Sequence, residues 1–226
     1  ESVRSDFLDW LYSGSATGST PLRLALEGAG EYYEKSDRPW LDDPASSESA
    51  ANPARECRIS ATMLMTDGYY DNTDDTDPAW SIRGAASTDG PVHTNSAGDS
   101  GQYKNEDPFS DGDDNSRTLA DVAAYYWKRD LNDEIDNFVP TIAPVIDENG
   151  AGIRETVGNP AFWQHMMTYG IGLGVEGSVA RNDAVSAVHE GTEIDWWSGS
   201  EDENKINDLL RASIIGRGDF FSASDP

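Results

Sequence analysis

The sequence is poor in cysteine, histidine and basic residues. Its single cysteine, Cys57, cannot close a disulfide within the chain, so no internal disulfide framework supports the fold, and no redox compartment can be read from it. His93, His165 and His189 are dispersed without a His-x-x-x-His pair, which argues against a zinc centre. Lys and Arg number 16 against 42 Asp and Glu, a net charge of -26 that repels nucleic acid and anionic membrane surfaces. Nucleic acid is therefore not an expected partner. No apolar run approaches the roughly 20 residues needed to span a bilayer, and no basic and apolar leader pattern stands at the start. No membrane span is expected, and the first residues read as an interior cut. Gly170, Gly172 and Gly174 are followed by no Gly-Lys-Ser/Thr, so they do not form a phosphate loop.

What is present suits one folded unit. A chain of 226 residues with 37% hydrophobic content can bury one sizeable core, and a single α/β domain with long loops is the default. The acidic surplus destabilises a compact state by self-repulsion unless salt or bound cations offset it, which points to a salty or calcium-bearing environment; a plain soluble acidic surface is the alternative.

Helical spacing of Leu22, Ala25, Leu26, Ala29 and Tyr33 predicts a helix opened by Thr20 as cap and Pro21 at the first helical position. Residues 36–56, rich in Pro, Ser, Asp and Ala, read as a loop. Ile59 to Thr66 reads as a buried strand ending in Asp67-Gly68. Residues 69–117 show little periodicity and form a long acidic excursion. A second helix starts at Thr118 with Asp121 completing a capping box and ends near Leu131. After a loop over 132–160, Met166 to Val175 reads as a strand. A short helix over Asp183 to His189 follows, capped by Asn182. Glu203 to Ile215 is a further helix, and Phe220 to Ala223 a last strand. Alternating helices and apolar strands predict a mostly parallel sheet with helices on its faces, whose ligand site lies at the carboxyl ends of the strands near Asp67.

Five segments in order carry a family resemblance. They are Ser19-Thr20-Pro21-Leu22-Arg23, Met63-Leu64-Met65-Thr66-Asp67-Gly68-Tyr69, Thr118 to Ala123 running into Tyr125-Tyr126-Trp127, Phe162-Trp163-Gln164-His165-Met166, and Ile206-Asn207-Asp208-Leu209 leading to Gly216-Arg217-Gly218 and Ser222 to Pro226. Together they resemble the amino-terminal von Willebrand factor type A domain of the PilY family of type IV pilus tip-associated adhesins and pilus biogenesis factors, over nearly the whole chain. The resemblance implies a Rossmann-like α/β fold and a non-enzymatic module at the pilus tip on the extracellular cell surface. It would support surface attachment and pilus biogenesis, with minor pilins and a host or abiotic surface receptor as partners. It also implies a divalent cation, Mg2+, Mn2+ or Ca2+, on hard oxygen ligands, with Thr20 in the Thr position and Asp67 in the Asp position. No Asp-x-Ser-x-Ser loop precedes Thr20, and the strand that would carry it is absent. The chain is thus read as starting part-way through the domain, with amino-terminal strands missing and the cation site incomplete.

Each of these residues also has a plainer reading. Thr20 is sufficient as a helix cap, and Asp67-Gly68 as a turn pair. Asp71, Asp74 and Asp75, and the run Asp111, Asp113 and Asn115, are possible calcium loops, but Ser116 stands where the second would need its turn glycine and Val122 where it would need Glu; solvated acidic loops are the alternative. Cys57 reads as a buried thiol or as half of a bridge to upstream sequence, and Trp196-Trp197 as core packing or an aromatic contact surface. Two rival functions remain: a calcium-stabilised structural module without metal-mediated ligand binding, and a secreted hydrolase with paired carboxylates, which no spacing supports.

Overall fold

The computed structural model describes residues 20–43, 54–70, 82–110 and 117–223. Its centre is a three-stranded sheet of β1 (Ser60–Thr66), β4 (Met166–Leu173) and β5 (Arg217–Ala223) in the order β1-β4-β5. Both pairings are parallel, with Ser60 opposite Met166, Thr66 opposite Gly172 and Ile171 opposite Phe221. Parallel neighbours require crossovers, and helices supply them. Helix α1 (Leu22–Tyr33) precedes β1, α2 (Leu119–Trp127) lies between β1 and β4, and α3 (Arg181–Glu190) and α4 (Glu201–Ile215) lie between β4 and β5. The chain is therefore α/β with a parallel sheet, as its alternating pattern implies. Among the described residues no helix is long and apolar enough to cross a membrane.

Side-chain alternation divides the sheet into unequal faces. Leu64, Met166 and Phe220 point into the core, where α2 and α4 pack against each other and against β4. Gly170 lets α4 approach closely: a Cβ there would stand 2.5 Å from Ser213 Oγ and 3.0 Å from Phe220. The opposite face carries Met63, Met65, Leu173 and Phe221, all exposed, with Met63 at 71%.

Helix ends follow local chemistry and shift several expected boundaries. The capping box at α2 forms as expected, with Thr118 Oγ1 accepting from Asp121 N while the Asp121 carboxylate accepts from Thr118 N, but the helix stops at Trp127, short of Leu131. Helix α4 starts at Glu201, two residues before the expected Glu203, because Ser200 and Glu203 form a second capping box. Helix α3 begins at Arg181 after Ala180, so Asn182 lies inside it and caps nothing. Pro21, not Thr20, occupies the cap position of α1, and no side chain caps that helix.

Two expected loops are better built than their composition suggests. Trp40 is fully buried, its indole N–H donates to Tyr33 O at 3.0 Å, and Leu41 bridges to Ala54, so the described part of 36–56 is stitched to α1. Residues 82–110 contain a short 3-10 turn (Ala85–Ser87) and an antiparallel hairpin of β2 (Val92–Thr94) and β3 (Ser100–Gln102). They bury Ile82, Ala86, Tyr103 and Phe109 in the core. Over 82–110 this corrects the reading of 69–117 as an irregular acidic excursion. Cys57 sits in the turn before β1 and is exposed, which corrects the buried-thiol reading. Trp196 is buried with its N–H on Pro108 O, while Trp197 is exposed.

The segment from Phe162 to His165 closes the core through a chain of polar contacts. Trp163 Nε1 donates to Trp127 O at 2.8 Å, Trp127 Nε1 to Asn159 Oδ1 at 3.1 Å, Asn159 Nδ2 to His165 Nε2 at 2.7 Å, and His165 Nδ1 to Trp163 O at 2.6 Å. These partners assign a neutral ring to His165, and burial pushes its pKa down to about 4. The unfolded chain thus takes up this proton first as pH falls. The stability it confers is complete above the unfolded pKa near 6.5 and is lost as pH falls towards 4, by roughly 3 kcal/mol at that pH. Urea denaturation of the chain between pH 7 and 4 should show this loss, and His165→Gln should flatten the slope in that window; an unchanged slope would show that His165 does not set it.

Candidate cation site at the carboxyl ends of the strands

Asp67 follows β1 directly, at the carboxyl end of the sheet. Thr66 shapes the turn: its Oγ1 accepts from Gly68 N at 3.2 Å and donates to Gly68 O at 2.8 Å. The side chain of Asp67 is thereby turned to solvent, and among the described residues no hydrogen bond or ion pair engages its carboxylate. Three residues after Asp67 the chain is anchored. Tyr70 is buried, and its hydroxyl donates to Asp208 Oδ2 at 2.6 Å.

Asp208 joins three elements. It projects from α4, is fully buried, and also accepts from Leu119 N at 2.7 Å and Ala120 N at 3.1 Å in the first turn of α2. A carboxylate at a helix amino terminus meets orphan N–H groups and the positive end of the helix dipole. Burial raises the pKa of Asp208, while the Tyr70 hydrogen bond, the Leu119 amide and the Arg211 charge act in the opposite direction. All three hydrogen-bonding partners are donors, which suits the ionised form. The loop carrying Asp67 is thus fastened to the two core helices.

Thr20 is exposed just before α1, with its hydroxyl unused in capping. The plainer explanation of this residue, a helix cap, therefore fails. Arg23, one turn on, lies close enough to the Tyr70 hydroxyl to perturb it electrostatically and donates to Arg117 O at 2.8 Å. The start of α1 and the loop after β1 consequently share one end of the molecule. A threonine hydroxyl and a carboxylate are hard oxygen donors that suit Mg2+, Mn2+ or Ca2+, but two ligands do not make a cage. Among the described residues no group of three or more His, Cys, Asp or Glu side chains could hold a metal. Asp71, Asp74, Asp75, Asp111, Asp113 and Asn115 lie outside the described residues.

The chain is similar to type IV pilus biogenesis factor PilY1. It is 33% identical to PilY1 of Pseudomonas aeruginosa strain PAK over an alignment of 235 residues covering 99% of the chain. Identity to PilY1 of strain PAO1 is also 33%, over 99% of the chain, and to PilY1 of strain UCBPP-PA14 30%, over 98%. The chain spans about a fifth of the length of these relatives, 19% for the first two. No protein-family model matches the chain. No solved structure matches it.

Several segments that carry the resemblance to the PilY family have structural roles here. Asn207 and Asp208 are fully buried on α4. Asn207 Oδ1 accepts from Val179 N at 3.0 Å, and its Nδ2 donates to Trp196 O at 3.0 Å, tying down the loop after β4. The burial of Asp121 and Asp208, and the Arg211 charge that acts on both, are not legible in the sequence. The available signal was two polar residues between Ile206 and Leu209 on a helix whose neighbours turn inward. Asp208→Ala would strand the Tyr70 hydroxyl and two amides, and should lower unfolding free energy by about 3 kcal/mol or more, whereas Tyr70→Phe should cost about 1–2 kcal/mol. Denaturant titration of both variants checks the ranking, and equal small losses would remove Asp208 from this role.

Proposed function

We propose that this chain forms part of a von Willebrand type A adhesion module on the extracellular surface at the tip of a type IV pilus. There it would support pilus biogenesis and attach to a host or abiotic surface through a divalent cation. The observation that carries the reading is Asp67: a carboxylate turned to solvent at the carboxyl end of a parallel strand, without a protein partner among the described residues, on a loop locked by Thr66 and Tyr70. Similarity to PilY1 along the whole chain supports the pilus assignment.

In this proposal the work is binding, and no bond is made or broken. A bound Mg2+, Mn2+ or Ca2+ would supply a Lewis-acidic centre that accepts an oxygen ligand from a partner. Asp67 and Thr20 would contribute the carboxylate and hydroxyl oxygens, and further ligands would have to come from elsewhere. The Thr66 turn and the Tyr70 anchor limit the motion of Asp67, so less ordering is required when a cation or partner arrives. Metal and partner affinities are then linked, each raising the other by the same factor.

A thermal melt of the metal-stripped chain with millimolar Mg2+, Mn2+ or Ca2+ tests this. The expected result is a rise in Tm that Asp67→Ala abolishes, since only the folded chain holds the ion. Equal stabilisation of both forms by Ca2+ would instead support the calcium-stabilised structural module, with its ions elsewhere on the acidic surface.

A further inference from the structure

A second feature of the fold lies away from Thr20 and Asp67. Strand β3, the segment around Phe162 and the start of β5 enclose a cavity of about 590 Å3, within the range of small-molecule sites. Its deep wall is aromatic: Tyr103, Trp127 and Trp163 are each almost fully buried, and Phe162 stands beside them. Arg217 projects into this wall. Its guanidinium carbon lies 4.5 Å from the ring centroid of Phe109 and 5.1 Å from that of Trp127. Its Nε is buried without a hydrogen-bond acceptor, and no ion pair holds the guanidinium among the described residues. Two other buried cations have acceptors: Lys128 Nζ donates to Ala85 O, Thr88 O and Thr88 Oγ1, and Arg211 donates to Phe109 O.

The backbone at Arg217 is also unusual. Its φ is 57°, the one positive value at a non-glycine position among the described residues. The left-handed residue ending a helix is ordinarily glycine. Here glycine is needed one position earlier, because a Cβ at Gly216 would stand 2.7 Å from Thr168 Cβ. An arginine is therefore held in a conformation that disfavours side chains, with its charged end aimed at a cavity and unpaired. Strained non-glycine residues concentrate at functional sites.

We propose that this cavity binds a carboxylate attached to a flat apolar group, with the Arg217 guanidinium receiving the carboxylate and the aromatic wall receiving the apolar body. A planar guanidinium matches a carboxylate in fork geometry. Burial lowers the Arg217 pKa to about 10, so the group stays charged at neutral pH. Asp99 and Glu106 at the rim disfavour more highly charged anions, and Lys104 at the rim is already paired with Asp89 at 2.8 Å. The carboxylate could be that of a free small acid or the carboxyl terminus of a peptide.

The test uses the full chain labelled with 15N and follows the indole N–H signals of Trp127 and Trp163 at constant ionic strength. The probes are phenylacetate and its neutral analogue phenylacetamide, and the peptide Gly-Gly-Phe with a free or amidated carboxyl terminus. We expect saturable shifts with at least one of the two acids, binding at least tenfold tighter than its amide, with the tighter acid identifying the source. Arg217→Gly, which suits the left-handed backbone, should abolish the shifts. Glu106→Gln, which leaves the cavity wall intact, should tighten acid binding several-fold. Equal binding of acid and amide, no saturable shift with either acid, or undiminished binding by Arg217→Gly would overturn the proposal.

Discussion

The buried carboxylate of Asp208 organises the fold around it. It stands inside α4, and its hydrogen bonds reach the first turn of α2 and the tyrosine that ends the loop after β1. One turn along α4, Arg211 donates to Phe109 O, bringing the 82–110 segment to the same place, and Asp121 accepts from Ala86 N at 3.0 Å. Burying charges is expensive, and an ion cluster of this kind adds little net stability over a well-packed apolar one. Its consequence lies in register. Neither helix can slide by a turn without stranding a charge, so the carboxyl ends of the strands are fixed relative to α2 and α4. The position of Asp67 follows from that constraint.

The elements read most accurately from sequence were those whose signals are local. Apolar spacing and the Thr118 capping box locate α2, and the run from Ile59 to Thr66 gives β1 to within one residue. The β2 and β3 hairpin was missed because its strands have three residues each and its apolar partners, Tyr103 and Phe109, come from flanking turns without period. The role of Asp208 could not be derived from spacing, since its donors lie 88, 89 and 138 positions away along the chain. The candidate site was only half legible. Asp67 stands at the strand end where the pattern placed it, while whether Thr20 caps α1 depends on which residue takes the cap position, which composition alone does not decide. Arg217 lay within a quoted motif, but nothing in Gly216-Arg217-Gly218 indicates which of the three residues turns left-handed.

The distribution of charge sharpens the meaning of the net value of -26. Several of the 16 basic residues are taken inside: Lys128, Arg117 and Arg211 are all buried, against carbonyl oxygens or carboxylates. Asp121, Asp208 and Asp219 are buried as well, so among the described residues burial removes acids and bases in equal number and leaves the acidic excess on the solvent-facing surface. Such a field concentrates cations generally, and its effect fades as salt rises. A defined cation site differs because it saturates and depends on particular oxygens.

The surroundings of Asp67 bear on what such a site would require. The amino terminus of α1 is the positive end of a helix dipole, and Arg23 lies in its first turn. Both oppose a cation held by Asp67 and Thr20 alone. A divalent ion there gains only when more negative oxygen joins it, whether from acidic loops or from a partner. In the proposed adhesion module, a partner's carboxylate would therefore do more than fill a coordination position. It would supply the negative charge that the start of α1 withholds, so that neither ion nor partner binds well without the other.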